Sequence, residues 1–171
     1  YGDADPELTA AVSGTLGTDT VTYSLSRAEG ETVEGSPYTI TPAGEAAQGN
    51  YAVTYKTGTL TITKAGAADL GLSATGYEEV YDAQAHGIAA SATVTEGTTI
   101  SYSTDNETWS EKAPTWTDVT EAQTVYVKAE NPNYETAAAS ATVTINPRPV
   151  TVTAENKTKA YGDADPELTA A

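Results

Sequence analysis

The sequence contains no cysteine, no methionine and no phenylalanine among its 171 residues. The absence of cysteine excludes disulfide bonds and thiolate metal sites, and it is typical of surface proteins that take their rigidity from β-sheet. No run of about 18 apolar residues is present, so the sequence predicts no membrane-spanning helix. No signal peptide is recognisable, and we expect export or anchoring signals to lie elsewhere in a longer parent protein.

Basic residues are also scarce, with 8 Lys and Arg against 24 Asp and Glu and a formal net charge of −16. Residues 1–66 carry 8 acids and 3 bases, residues 67–147 carry 12 and 2, and residues 148–171 carry 4 and 3. An acidic field of this size repels phosphate groups, so we expect neither nucleic acid nor anionic membrane as a partner. It favours solubility and mutual repulsion between neighbouring molecules.

What the sequence does contain is an internal repeat. The segment YGDADPELTAA occupies residues 1–11 and returns at 161–171 without a substitution, so that Tyr1 recurs as Tyr161. An identical segment at a fixed offset indicates a tandem array. We therefore expect this chain to be one full period followed by the start of the next.

Alternation of apolar and polar residues with a period of two predicts an all-β fold. It is clear in six segments, residues 20–26, 37–43, 51–65, 125–131, 141–147 and 149–156. Such alternation indicates strands that are buried on one face. Local turns predict two hairpins, one joining 51–56 to 59–64 through Gly58, and one joining 100–103 to 108–110. Short strands with frequent turns favour β-sandwiches.

Proline, glycine and alanine divide the chain into three parts. We predict a first block at residues 1–66, a second block at 67–147, and a tail at 148–171. The linkers are short, and Pro147 and Pro149 restrict the backbone of the second one. Blocks joined in this way are expected to lie in a line and to form a rod.

The first block resembles the MBG-type (YGX) immunoglobulin-like repeat of large bacterial surface adhesins. The resemblance lies in the repeated run, seen in full as KAYGDADPELTA at 159–170, followed in the first block by YTITPAG and by GNYAVTYKTGTLTITKA at 49–65. The second block is similar to the companion bacterial immunoglobulin-like repeats through GYEEVYDAQAHGI and ISYSTDNETW, with Ala83 at a position where glycine is usual. The resemblance implies two tandem immunoglobulin-like β-sandwich domains arranged end to end on the bacterial cell surface. It implies a stalk or spacer that presents a distal binding region, and it brings no catalytic residues.

The resemblance also implies that the first block lacks its first strand. In that family the domain begins at PVTVTAENKTKA, which here precedes the second YGDADPELTAA. The tail would then be the first strand and entry loop of the next repeat. A loose strand that alternates at Val150, Val152 and Ala154 is a natural filler for a sandwich that lacks one. We expect it to complete the first block of a neighbouring molecule, giving head-to-tail self-association like that between neighbouring repeats.

Three acidic residues form a candidate calcium site. Asp3, Asp5 and Glu7 are spaced two apart, and oxygen ligands at that spacing can converge on one ion. The glycine and the bidentate glutamate of an EF-hand loop are missing, and Pro6 also fits an ordinary turn. Calcium is therefore the one cofactor that the sequence leaves open.

Catalytic chemistry has little support in this sequence. His86 is the single histidine, and no nucleophile motif accompanies it. The adjacent carboxylates Glu78 and Glu79 would point to opposite faces of a strand, so they cannot flank one scissile bond. We expect a non-enzymatic protein, and we expect His86 to be hydrogen-bonded within a loop.

The alternative to a spacer is a carbohydrate-binding module. Trp109, Trp116 and Tyr102 could form an aromatic platform for a host glycan or mucin sugar, with Asp105 and Asn106 bonding its hydroxyls. A host protein is a further possible partner. The competing interpretation is that the tryptophans fill the core of a sandwich that has no phenylalanine. Both interpretations stay open from the sequence.

Overall fold

The computed structural model describes residues 1–168. Their regular secondary structure consists of β-strands and one 3-10 helix, Ala67–Leu70. This confirms the all-β prediction. The strands are β1 Ser24–Arg27, β2 Tyr38–Ala43, β3 Ala47–Gln48, β4 Tyr51–Ala52, β5 Gly58–Leu60, β6 Ser73–Thr75, β7 Tyr77–Val80, β8 Ala89–Ser91, β9 Thr99–Ser103, β10 Thr120–Glu130 and β11 Ala137–Asn146. Within the described residues no helix is long and apolar enough to cross a bilayer.

The first block contains a three-stranded antiparallel sheet in the order β1-β2-β5. The predicted hairpin between 51–56 and 59–64 is wrong. Residues 58–60 pair instead with β2, and Tyr51 and Ala52 form a two-stranded sheet with β3. Pairing with β2 satisfies one side of the backbone of β5 and places Leu60 beside Tyr38, the most buried side chain of this block.

The second block is built on a four-stranded sheet in the order β7-β11-β10-β9. Its strands are antiparallel except for β7, which runs parallel to the last strand, β11. A separate pair, β6 with β8, supplies further apolar side chains. The hairpin predicted between 100–103 and 108–110 is confirmed by antiparallel bridging of Tyr102 to Ser110.

Burial differs strongly between the two blocks. The second block contains a core of fully buried or nearly buried side chains: Leu70, Ile88, Val125, Val127, Ala129, Ala137, Val143 and Ile145. In the first block, Tyr38 is the buried hydrophobic residue, and Tyr23 is 39% exposed. The same alternating pattern therefore yields a closed core in one block and an open one in the other.

The tail forms no strand within its described residues, 148–168. The predicted strand at 149–156 has no ladder partner there, and Val150 and Val152 are 86% and 95% exposed. Arg148 anchors the start of the tail because its guanidinium donates to the carbonyl of Tyr81 over 2.9 Å. The strand predicted at 20–26 is also shortened, since β1 begins at Ser24.

Candidate functional site

The junction between the two blocks is held by backbone hydrogen bonds on both sides of Ala65. The amide of Ala65 donates to the carbonyl of Asn133 over 3.0 Å, and the amide of Glu135 donates to the carbonyl of Ala65 over 2.9 Å. These bonds form a short parallel bridge opposite Tyr134. The linker is therefore joined to a turn of the second block rather than free in solvent.

A side-chain amide extends this junction into the body of the first block. The side-chain oxygen of Asn133 accepts a hydrogen bond of 2.9 Å from the amide of Val33. Asn133 is itself placed by Asn131, whose side-chain oxygen accepts from its amide over 3.0 Å. The buried Asn131 donates in turn to the carbonyl of Glu96 and the hydroxyl of Thr98.

The aromatic rings of Tyr1 and Tyr134 meet edge to face at the same junction, with centroids 5.3 Å apart. None of these contacts at the junction was predicted from the sequence. The signal available was the turn sequence Asn131-Pro132-Asn133, because Asn side chains bond nearby backbone groups in turns. The junction therefore couples a loop of the first block to a buried amide of the second.

A groove of about 510 Å³ opens in the first block. One wall is formed by residues 10–15 and the other by residues 51–56, with Val21, Tyr23 and Pro42 between them. Its aliphatic and aromatic side chains remain only partly covered. The incompletely covered core of the first block is therefore exposed at this groove.

Of the three residues predicted to bind calcium, Asp5 is engaged in an ion pair, and Asp3 and Glu7 are exposed. The carboxylate of Asp5 pairs with the guanidinium of Arg27, with Nε and Oδ2 2.5 Å apart. Arg27 also pairs with Glu31, and the hydrogen bonds to Asp5 and Glu31 raise the pKa of the guanidinium above its usual value. Among the described residues, no group of three or more His, Cys, Asp or Glu side chains is placed to hold a metal ion.

The aromatic residues proposed as a sugar platform occupy different environments. Trp116 and Tyr102 pack against the core of the second block. Trp109 is half-buried, and the ammonium of Lys128 lies 4.9 Å from its ring centroid. A depression of about 320 Å³ is lined by Tyr102 and Asp105 together with Ser103, Thr104, Thr108, Ser110, Lys112 and Pro114.

Asp105 organises the loop beside that depression. One of its carboxylate oxygens accepts hydrogen bonds from the amides of Thr108 and Glu107 and from the hydroxyl of Ser103. These bonds, with that of Thr108 the largest contribution, hold the pKa of Asp105 well below its ordinary value. Asn106 follows in the left-handed conformation, with φ of 61°.

His86 lies within a loop of the second block. Its Nε2 is 2.8 Å from the carboxylate of Asp82, and its ring stacks on that of Tyr77 with centroids 4.0 Å apart. Its backbone bonds in both directions with that of Trp116. The hydrogen bond with His86 is the main reason that the pKa of Asp82 is lowered.

Comparison with known proteins identifies the first block. Residues 1–61 match the family model described as the MBG domain (YGX type). The match confirms the resemblance over those residues, and the family is one of repeats in surface proteins. No curated protein matches the chain, and no solved structure matches it.

Proposed function

We propose that the chain is a stalk segment of a bacterial cell-surface adhesin, because residues 1–61 match the family model of the MBG domain (YGX type). Its role is to extend outward and to present a distal binding region, and it performs no catalysis. The observation that carries this proposal is the bonded junction. Ala65 is bridged on both sides, and Asn133 reaches across to Val33, so neighbouring blocks are restrained rather than freely jointed.

Restraint at the junction matters because a stalk has to keep its tip at a distance. A repeat array gains stiffness from nearest-neighbour interfaces, each adding to the next. If each block is about 35–40 Å long, one period of two blocks extends the stalk by roughly 70–80 Å. The negative charge of −16 would keep neighbouring stalks apart.

Small-angle scattering tests the shape of the chain. A compact protein of this length has a radius of gyration of about 16 Å. Two blocks in a line of roughly 70 Å give a value above about 20 Å. A radius of gyration as small as that of the compact protein, extrapolated to zero concentration, would contradict the stalk.

Spin-label distances test the junction itself. Nitroxides on Glu45→Cys and Glu107→Cys, which lie in the two blocks and are exposed, should give a narrow distance distribution. Asn133→Ala removes the bond to Val33 and should broaden it. Asn50→Ala is the matched control, because Asn50 is exposed in the first block. A distribution that is broad already in the native chain would show a flexible joint and refute the stiff stalk.

A carbohydrate-binding module is the second candidate, and the depression that contains Tyr102 and Asp105 favours it. Both tryptophans lie in the second block, so their fluorescence reports on ligands there. Titration with mucin sugars should give no saturable change for a spacer. A saturable change that Asp105→Ala abolishes and Asp118→Ala leaves intact would favour the glycan-binding function instead.

A further inference from the structure

Tyrosines at equal spacing along the chain hold equivalent positions in the two blocks. Tyr81 lies halfway between Tyr1 and Tyr161, so it stands half a repeat period from each. The amide of Tyr81 donates to the carbonyl of Asn146 at the end of β11, over 2.9 Å. The amino group of Tyr1 donates to the carbonyl of Thr63, just after β5, over 2.8 Å. Tyr1 and Tyr81 therefore hold equivalent positions against the last strand of their blocks.

The residues that precede Tyr81 complete the second block. Leu70 is fully buried, and Leu72 and Ala74 pack on the core. β6 pairs with β8, while β7 pairs in parallel with residues 143–146 of β11. This entry segment thus supplies both core side chains and an edge strand.

The residues that stand half a period further along the chain have the same pattern without the same burial. Val150, Val152 and Ala154 precede Tyr161 as Leu70, Leu72 and Ala74 precede Tyr81. In place of a core they meet solvent, since all three are exposed and their segment forms no strand. These apolar side chains have the spacing of core residues, but they pack against no core within the described chain.

The first block offers the complementary surface. β5 is the outermost strand of its sheet, and no backbone-to-backbone hydrogen bond joins residues 9–11 to another described residue. Those residues follow Tyr1 as the strand β8 follows Tyr81. Ala10 and Ala11 line the open groove. The block therefore has two unpaired edges, and the groove, which apolar and polar side chains line together, adjoins the edge at residues 10–11.

We propose that residues 150–160 of a second copy of this chain occupy that groove as an added strand. The equivalence of Tyr1 with Tyr81, and of Thr63 with Asn146, fixes the register. Residues 157–160 pair in parallel with 60–63, as 77–80 pair with 143–146. Residues 153–155 pair antiparallel with 9–11, as 73–75 pair with 89–91. The part of the added strand that lies beside residues 9–11 then brings its apolar side chains to the groove at Ala10 and Ala11.

Chain direction selects a second copy over the chain's own tail. Residues 60–65 run toward the junction, where Ala65 is bridged to the second block. The tail leaves the opposite end of β11, whose ten residues span roughly 33 Å. A tail that folded back would run away from the junction, against the parallel register. Entering from a neighbouring molecule, it runs in the required direction.

Charge also favours this occupant. Residues 150–160 carry two bases, Lys157 and Lys159, and one acid, Glu155, a net charge of +1 in an otherwise acidic chain. The first block carries 8 acids and 3 bases, a net charge of −5. Opposite charges steer the tail of one molecule toward the first block of another. Because the contact is heterologous and does not close, it propagates head to tail.

A designed disulfide tests the register. The hydroxyls of Ser73 and Ser91 are 3.1 Å apart, and the register places Thr153 opposite Ala11 in the same relation. The chain has no native cysteine. On oxidation, Thr153→Cys with Ala11→Cys should give a ladder of covalent oligomers on a non-reducing gel. Ala154→Cys with Ala11→Cys is the control, because residue 154 points to the opposite face.

The cross-linking results that would contradict the proposal can be distinguished from one another. Equal ladders from both pairs, or none from either, would overturn the register. A compact cross-linked monomer would show that the tail folds onto its own chain. Either result would leave the stalk proposal intact, because the spin-label test reads the junction within one molecule.

Association in solution gives an independent test. The mass from light scattering should rise with concentration for the native chain and stay monomeric for Val152→Asp. Val152 is 95% exposed, so this change should not unfold the chain that carries it. Val119→Asp, at a residue 51% exposed in the second block, is the matched control. A native chain that is monomeric throughout, or a Val152→Asp chain that associates equally, would overturn the proposal.

A variant chain with a second copy of PVTVTAENKTKA placed ahead of Tyr1 gives a third test. That segment would fill the groove covalently, so the extended chain should associate less and its first block should melt at a higher temperature. If neither property changes, the groove does not accept this segment.

Discussion

Replacing Val127 by alanine tests the core that stabilises the second block. Val127 is 1% exposed at the middle of β10, between Ala139 on β11 and Tyr102 on β9. The change removes two buried carbons, each worth about 0.8 kcal/mol of transfer free energy. The cavity left behind adds to this, so we expect a loss of about 2–3 kcal/mol in the free energy of unfolding. For a block of this size the melting temperature should fall by about 10–20 °C.

Tryptophan fluorescence during guanidinium unfolding is a suitable assay, because Trp109 and Trp116 both lie in the second block. The first block, which has only tyrosines, will not contribute when the tryptophans are excited selectively. Val119→Ala is the matched control: Val119 is 51% exposed, and its truncation should cost no more than about 0.5 kcal/mol. A Val127→Ala loss below about 1 kcal/mol, or one equal to the control, would refute the reasoning.

Five further changes have defined outcomes. Gly30→Ala should cost the first block more than about 2 kcal/mol by thermal circular dichroism, because its Cβ would lie 2.3 Å from the Tyr38 ring at a φ of 129°. Gly49→Ala, with φ of 58° and open space, should cost about 1 kcal/mol. Ala83→Gly should stabilise the second block by about 0.5–1 kcal/mol, because Ala83 has φ of 67°. The lowered pKa of Asp105 gives stability that is present above its ordinary pKa of 3.8 and is lost as pH falls through the folded value. Asp105→Asn should therefore lower the melting temperature at pH 7, with a difference that shrinks below pH 3.8. A chelator should leave the melting temperature unchanged, and a fall of more than about 5 °C would show a bound calcium ion.

The fold class was predictable because five of the six segments with alternating residues contain a strand, although several of those strands are shorter than predicted. The hairpin of β9 was also predictable, since its turn and both arms are adjacent in sequence. The wrong hairpin, 51–56 with 59–64, had the same local signal. There the distant strand β2 took β5 as its partner instead, and alternation alone does not specify which strand pairs with which.

The junction was not predictable from alternation, because side-chain amides hold it. Asn133 looks like an ordinary turn residue, and its bond to Val33 joins positions that are far apart in the sequence. Ala83 is a case where departure from a sequence pattern had structural meaning. The resemblance of the second block to companion repeats led us to expect glycine at this position, and Ala83 has the left-handed conformation that glycine adopts without strain.

The difference in burial between the two cores was not predictable from the alternation of apolar and polar residues either. Alternation shows which face of a strand can be buried, and it does not show whether anything covers that face. In the second block, Leu70, Leu72 and Ala74 cover the face, and Val127 is sealed from solvent. In the first block nothing in the described chain takes their place, and Tyr23 stays 39% exposed. The stability of the first block should therefore depend on what occupies its groove, whereas that of the second block should not.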